Sequence, residues 1–222
     1  MTLSFALDGA IRHAAALSVD EISILHTLAQ ERRDSGPGAR IIRNPALSSL
    51  LKADGGMDRI AKTVLGEAAR PVRALLFDKT PDCNWSVGWH QDRTIAVRDS
   101  SDVPGFGPWS KKAGVWHVEP PFDFIAKMLT LRAHLDSCDP DNAPLLIAPG
   151  SHRLGRIAQS DIPETVEYYG SYACVAEEGD VWLYSTAILH ASEKALGDRH
   201  RRVLQVDYSA QDLPAELEWF GI

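Results

Sequence analysis

The chain has 222 residues, 45% hydrophobic and 24% charged, with 16 Gly and 13 Pro, the make-up of an ordinary globular protein rather than a disordered, collagenous or low-complexity one. A chain of this length buries most of its apolar surface without disulfide or metal staples, so a metal here would serve chemistry rather than folding. Net charge is −7, from 23 Lys+Arg against 30 Asp+Glu, and the longest basic block is Arg199-His200-Arg201-Arg202, which argues against a nucleic-acid partner.

With no internal repeat or flexible linker, residues 1–222 read as one domain, helical first and stranded after. Ser18 and Glu21 have capping-box spacing, and Ile22, Leu25, Leu28 and Ala29 follow at helical period, which predicts a helix from Ser18 to about Arg33, broken over Asp34–Gly38. A second helix is predicted over about Asp58–Arg70, with Ile60, Val64, Leu65 and Ala68 on one face and Pro71 closing it. Residues 1–71 are thus expected to be mainly helical.

From Val72 onward, short Val/Leu/Ile/aromatic runs alternate with turn clusters: Val72–Lys79, Val87–Val97, Ile125–Asp136, Leu145–Ala148, Ala173–Ala176, Val181–Tyr184 and Arg202–Tyr208. This spacing predicts an antiparallel sandwich or small barrel over 72–222. About 98–121, rich in Pro and Gly, leaves little room for regular structure and is expected to form a lid or binding loop. In Leu129–Asp136 the even positions are Thr130, Arg132, His134 and Asp136 and the odd ones are apolar, so one face is polar. That face is either solvated or lines a wet cavity inside the barrel.

His90 and Asp92 are two residues apart, which on a strand puts an imidazole and a carboxylate on one face. His190, after the aromatic strand Val181–Tyr184, is the natural third ligand, and two His with one carboxylate is the facial triad of non-haem Fe(II) oxygenases. The spacing recurs in His117-Val118-Glu119, which Pro120 and Pro121 follow, and in His134-Leu135-Asp136. Cys83, Cys138 and Cys174 are odd in number and form no CxxC, which suggests a reducing, cytoplasmic compartment. No apolar run reaches the roughly 18–20 residues a membrane helix needs, Asp8, Arg12 and His13 stand where a signal peptide would be apolar, and Trp219-Phe220-Gly221-Ile222 is no peroxisomal or lipidation signal. Neither a membrane nor an obligate protein partner is expected.

The strings WHQDRTIAV, DPDNAPLLIAPGSH and LHASEKALGDRHRRVLQVDY, in that order and spacing and with FALDGAIRHAAALSVDEI ahead of them, resemble the phytanoyl-CoA dioxygenase family of Fe(II)/2-oxoglutarate oxygenases. The resemblance covers nearly the whole chain. It implies an α+β, mainly β fold: a double-stranded β-helix, or cupin-like jelly roll, with the N-terminal helices packed on one sheet. It implies Fe(II), 2-oxoglutarate and O2 as the reactive set, with His90, Asp92 and His190 as iron ligands.

By the same resemblance the cosubstrate's remote carboxylate falls to Arg201, eleven residues past His190, with Ser192 and Thr130 as hydroxyl partners. A guanidinium suits that carboxylate because it donates two parallel hydrogen bonds. Arg199 and Arg202 are rivals by composition, but Arg201 shares a face with Val203, Gln205 and Asp207, whereas Arg202 shares one with Leu204 and Val206. Lys79, Arg132, His134, Trp109, Trp116 and His117 are candidates for the substrate end. His152 is read as structural, His13, His26 and His200 as surface residues, and Ala143, where the family has Gly, as a change of turn geometry.

The implied reaction is hydroxylation, desaturation or ring closure at an unactivated C–H bond of a small molecule, with release of succinate and CO2. Retention of Asp92 speaks against halogenation. The rival expectations are a cupin-type isomerase or zinc hydrolase on the same three ligands, and a jelly-roll binding module without turnover.

Overall fold

A computed structural model describes residues 2–31, 38–52 and 54–222. Its centre is a six-stranded sheet in the order β1-β11-β8-β13-β3-β2, from Ala10–His13 (β1), Ala39–Ile41 (β2), Arg70–Lys79 (β3), Leu129–His134 (β8), Val181–Ser185 (β11) and Arg201–Ser209 (β13). Facing it is a four-stranded sheet, β10-β9-β12-β4, from Val87–His90 (β4), Leu145–Ile147 (β9), Tyr172–Cys174 (β10) and His190–Ser192 (β12). Ile95–Val97 (β5), Trp109–Lys112 (β6) and Val115–Val118 (β7) make a third, three-stranded sheet. Every strand pairing is antiparallel, as the turn spacing predicts.

Helices cover the outer face of the large sheet: Phe5–Asp8 (α1), Val19–Glu31 (α2), Pro45–Leu50 (α3) and Gly56–Leu65 (α4), with Phe122–Ala126 (α5) and Ile162–Tyr169 (α6) elsewhere in the chain. Leu25 and Leu28 of α2, Leu47 and Leu50 of α3 and Met57, Ile60 and Ala61 of α4 pack on Leu76, Leu131, Leu183, Leu204 and Val206 of the sheet. Each such buried leucine contributes about 2 kcal/mol of transfer free energy. Even-numbered residues of β3 and β13 and odd-numbered residues of β8 thus face the helices, and the opposite parity faces the second sheet. For β8 this decides between the two readings of its polar face: Thr130, Arg132 and His134 are all buried, inside the protein.

The chain departs from the sequence reading in several places. Helix α2 starts with the reciprocal Ser18–Glu21 capping bonds and runs through Glu31; its expected end at Arg33, and most of the break after it, lie outside the described residues. Helix α4 stops at Leu65, not Arg70, because Gly66 takes φ +75°, and Pro71 lies inside β3 at the bulge opposite Asp207 and Tyr208, a place where a missing N–H costs little. Residues 1–71 are less purely helical than expected, since β1 and β2 add to both edges of the large sheet.

The segment about 98–121 is not irregular either. Ala113 and Gly114, at φ 47° and 80°, make a two-residue turn of the kind that joins hairpin strands, and β6 and β7 pair across it. The run Val87–Val97 divides into β4 and β5 around Gln91–Thr94, and Ile125–Asp136 begins in α5. Ala143 takes a left-handed conformation at φ 50° and ψ 59°, one that glycine adopts freely, so the alanine bears a steric cost.

Candidate metal centre and cosubstrate cavity

The register of β4 with β12 makes His90 and His190 Cα partners, and their ring centres lie 4.3 Å apart. Asp92 joins them: one potential ligand atom from each of His90, Asp92 and His190 falls within 4.8 Å of the others. Gln91, between two of the three, points the other way and is fully engaged. Its Nε2 donates to the carbonyls of Ala187 (2.7 Å) and Gly155 (3.0 Å), and its Oε1 accepts from the Ile157 N–H at 2.9 Å. The buried amide therefore clamps the strand end that carries His90 and Asp92.

Both imidazoles are oriented from behind. His90 Nδ1 lies 2.8 Å from the Gly88 carbonyl and His190 Nδ1 3.0 Å from the Ile188 carbonyl. A carbonyl only accepts, so each Nδ1 carries its proton and each Nε2 lone pair is free for a metal. Burial pushes the His190 pKa down to about 4, which keeps the ring in the neutral, ligating form at neutral pH.

Burial alone would raise the Asp92 carboxyl, but Arg73 and the two histidines hold its pKa below the ordinary value. Arg73 Nη2 lies 3.7 Å from Asp92 Oδ2, and Arg73 Nε donates to Asp207 Oδ2 at 2.5 Å. Asp207 Oδ1 in turn accepts from Thr130 Oγ1 at 3.2 Å. Arg73 and Asp207 were not legible as site residues, although both lie on inward parities of their strands; only the β3–β13 register, which makes them Cα partners, joins them to Asp92.

Between the two sheets lies a cavity of about 140 Å³, with Arg73, His90, Asp92 and His190 among its lining and Ser192, Arg132, Gln205 and Arg201 also in its wall. Phe77 and Trp85 supply an aromatic side that sequence reasoning missed. Arg201 is 2% exposed, and its Nε and Nη1 have no hydrogen-bond partner among the described residues. Burial, with Arg132 adding to it, lowers its pKa to about 10, which still leaves it a cation at neutral pH. Its rivals are spoken for at the surface, Arg202 by Asp136 at 2.6 Å and Arg199 by Asp139 at 2.6 Å.

Thr130 is placed differently from the expectation. It is fully buried, but its hydroxyl is shared with Thr186 (3.0 Å) and Asp207, and it does not line the cavity. Nor do Trp109, Trp116 and His117. The two indoles meet edge-on at 6.4 Å within a separate apolar cluster, and His117 Nε2 accepts from Arg40 at 2.8 Å. His134 is buried with neither ring nitrogen bonded among the described residues, its pKa pressed down to about 3 by burial and then by Arg132 and Arg201. His152 packs its ring against Gly9, while His26 and His200 pair with Glu178 and Asp78 at the surface.

The phytanoyl-CoA dioxygenase (PhyH) family model matches residues 13–203. The chain belongs to that family. Among solved structures, EctD from S. alaskensis in its apoform is similar at TM-score 0.69 and 19% identity, over 98% of this chain and 78% of that one. The α-ketoglutarate-dependent epimerase SnoN from nogalamycin biosynthesis is similar at TM-score 0.68 and 15% identity, covering 95% and 85%. HygX from Streptomyces hygroscopicus, solved with nickel and 2-oxoglutarate bound, is similar at TM-score 0.63 and 13% identity, covering 92% and 83%. No curated protein matches the chain in sequence. The shared fold is the mainly β jelly roll with antiparallel sheets that the family resemblance implies.

The donor set fits the family's metal. Two imidazoles and one carboxylate leave room for further ligands, the arrangement of Fe(II) sites that take an oxo-acid and O2 together. The orphaned Arg201 guanidinium fits a carboxylate arriving from the cavity.

Proposed function

We propose that this family member is an Fe(II)- and 2-oxoglutarate-dependent oxygenase acting on a small metabolite or natural-product intermediate. The observation that carries the reading is Arg201: a buried cation whose Nε and Nη1 have no hydrogen-bond partner among the described residues, in the wall of the same cavity that His90, Asp92 and His190 line. An isomerase or hydrolase using three ligands needs no such anion receptor, and a passive jelly-roll module needs neither group.

His90, Asp92 and His190 would hold the iron through two Nε2 atoms and a carboxylate oxygen. Arg201 and the Ser192 hydroxyl would hold the remote carboxylate of 2-oxoglutarate. When bound, the pair would activate O2: one oxygen atom would enter succinate as 2-oxoglutarate is oxidatively decarboxylated with loss of CO2, and the other would serve as the oxidant for the substrate C–H bond. The chain's own work is to fix both groups before reaction and to keep the cavity walled by Leu75, Phe77, Trp85, Val87 and Leu145, which limits water. Arg73 acts behind Asp92, holding it ionised and oriented.

Hydroxylation is the outcome we assign first, with ring closure or epimerisation as outcomes the same site supports, since similar structures include a carbocyclase and an epimerase. We assign the protein to a reducing compartment, the cytoplasm, a reading that the free cysteines Cys83, Cys138 and Cys174 support; no helix among the described residues is long and apolar enough to cross a membrane.

The test needs no substrate. Fe(II) and then 2-oxoglutarate are added to metal-free protein without oxygen, and the visible metal-to-keto-acid charge-transfer band is recorded. A band in the wild type that is absent in His90→Ala supports the reading; iron binding with no band moves the site to the isomerase or hydrolase class.

A further inference from the structure

The register of β3 with β13 puts Lys79 directly opposite Arg201. Like charges so placed repel. Burial sharpens the conflict, because Lys79 has 0% of its surface exposed and Arg201 2%. Neither meets a carboxylate among the described residues. Lys79 Nζ donates to Ser192 Oγ at 2.9 Å and to the Glu193 backbone carbonyl, and it lies 5.1 Å from the Trp85 ring centre.

Arg132 is a third buried cation and, like Arg201, lines the cavity, whereas Lys79 stands behind Ser192; Arg132 bonds the neutral Gln205 Oε1 at 3.0 Å and leaves its Nε unpartnered among the described residues. Three cations taken from water without an acid are stable only if an anion completes them. One of them, Arg201, already has the cosubstrate's remote carboxylate assigned to it. Ser192 shows how Lys79 shares in that work: with its oxygen accepting from the ammonium at 2.9 Å, the hydroxyl keeps its proton as a donor, engaged by no more than a long 3.5 Å contact to the Glu193 carbonyl that an arriving carboxylate can replace.

We infer that Lys79 is a positioning residue of 2-oxoglutarate capture, aiming the Ser192 hydroxyl at the remote carboxylate and adding a second positive charge across from Arg201. The inference rests on the 2-oxoglutarate reading and deepens it, because it makes cosubstrate binding proton-linked. Burial, then Arg201 on β13 and Arg132 on β8, press the Lys79 pKa down to about 7 in the empty pocket, with Cys138 and Glu193 acting the other way. A carboxylate in the pocket reverses that balance. Above about pH 7 the amine is neutral when the pocket is empty and takes up a proton as 2-oxoglutarate binds; below it the proton is already present.

The experiment is a calorimetric titration of 2-oxoglutarate into protein loaded with Ni(II), which does not turn over, from pH 6 to 9 in buffers of different ionisation heat. In the wild type, net proton uptake rises above about pH 7, and the 2-oxoglutarate Kd weakens by up to about tenfold per pH unit until the bound-state pKa is passed. Lys79→Met binds about tenfold more weakly at pH 7 and takes up no proton. Lys79→Arg restores part of the affinity with a flat pH profile, since a guanidinium stays charged throughout.

A wild type with no uptake anywhere in this range overturns the inference, and so does a Lys79→Met protein with unchanged affinity and uptake. Where Lys79→Met does not fold, the wild type and Lys79→Arg decide. Ni(II) binding without any 2-oxoglutarate binding removes the cosubstrate reading and the inference together; normal 2-oxoglutarate binding to Lys79→Met removes the inference alone.

Discussion

The strand pair β3–β13 carries opposite electrostatics at its two ends. At one end Arg73 is the Cα partner of Asp207, and with Asp92 beside them one cation serves two buried carboxylates. At the other end, six residues along each strand, Lys79 is the partner of Arg201 and no carboxylate among the described residues forms an ion pair with either. One end is left negative, as a cation site should be, and the other positive, as an anion site should be. The same antiparallel ladder thus carries the charges behind the candidate metal site toward one end and those of the proposed carboxylate receptor toward the other, with their side chains meeting one cavity. The difference teaches that the chain neutralises its buried charge only as far as its ligands leave it unneutralised.

Breaking the negative end has the largest effect. Asp92→Ala removes the only carboxylate of the triad and is expected to weaken Fe(II) binding by about a hundredfold or more, as read by anaerobic metal titration. Equal iron affinity in both proteins would take Asp92 out of the site. Arg73→Met is next. It strands Asp207 and Asp92 without their cation, at a cost of about 3–5 kcal/mol in urea unfolding of the metal-free protein, and lowers iron affinity about 10–100-fold.

The positive end responds in the opposite sense. Arg201→Met leaves iron in place and weakens 2-oxoglutarate binding by about 2–3 kcal/mol, measured by titrating the charge-transfer band. In the same urea assay the metal-free protein does not lose stability, because an uncompensated buried charge has been removed. Loss of stability comparable to that of Arg73→Met would erase the contrast between the two ends.

Thr130→Val gives the smallest effect and sharpens the boundary. It deletes a hydrogen bond to Asp207, worth about 1 kcal/mol in unfolding, and leaves the 2-oxoglutarate Kd within about twofold. A larger rise in that Kd would put Thr130 back among the cosubstrate contacts, where the family resemblance has it.

Much of the site is legible along single strands. The alternation that turns Arg201 inward and Arg202 outward and the polar parity of β8 are short-range consequences of the strand's period of two, while the two-residue spacing that singled out His90 and Asp92 holds although β4 ends at His90 and Asp92 lies just past it. Local signals also exist for elements that were passed over: Asn44 caps α3 with Pro45 at its first turn, and Ala113-Gly114 closes the β6–β7 hairpin. Of the three-residue strands, β5, β9 and β10 overlap the runs Val87–Val97, Leu145–Ala148 and Ala173–Ala176, whereas β2 and β12 are too short for periodicity to mark them.

What the sequence by itself determined is the family, a first part richer in helix than the stranded remainder, and which residues of each long strand turn inward, because these depend on neighbours a few positions apart. Only the tertiary structure decided which inward residues meet. Arg73 and Asp207 are 134 positions apart and Lys79 and Ser192 113, and nothing local records that one pair shares a charge or that the other shares a proton. Register does, since a slip of one residue between β3 and β13 would turn every one of these groups to the opposite face.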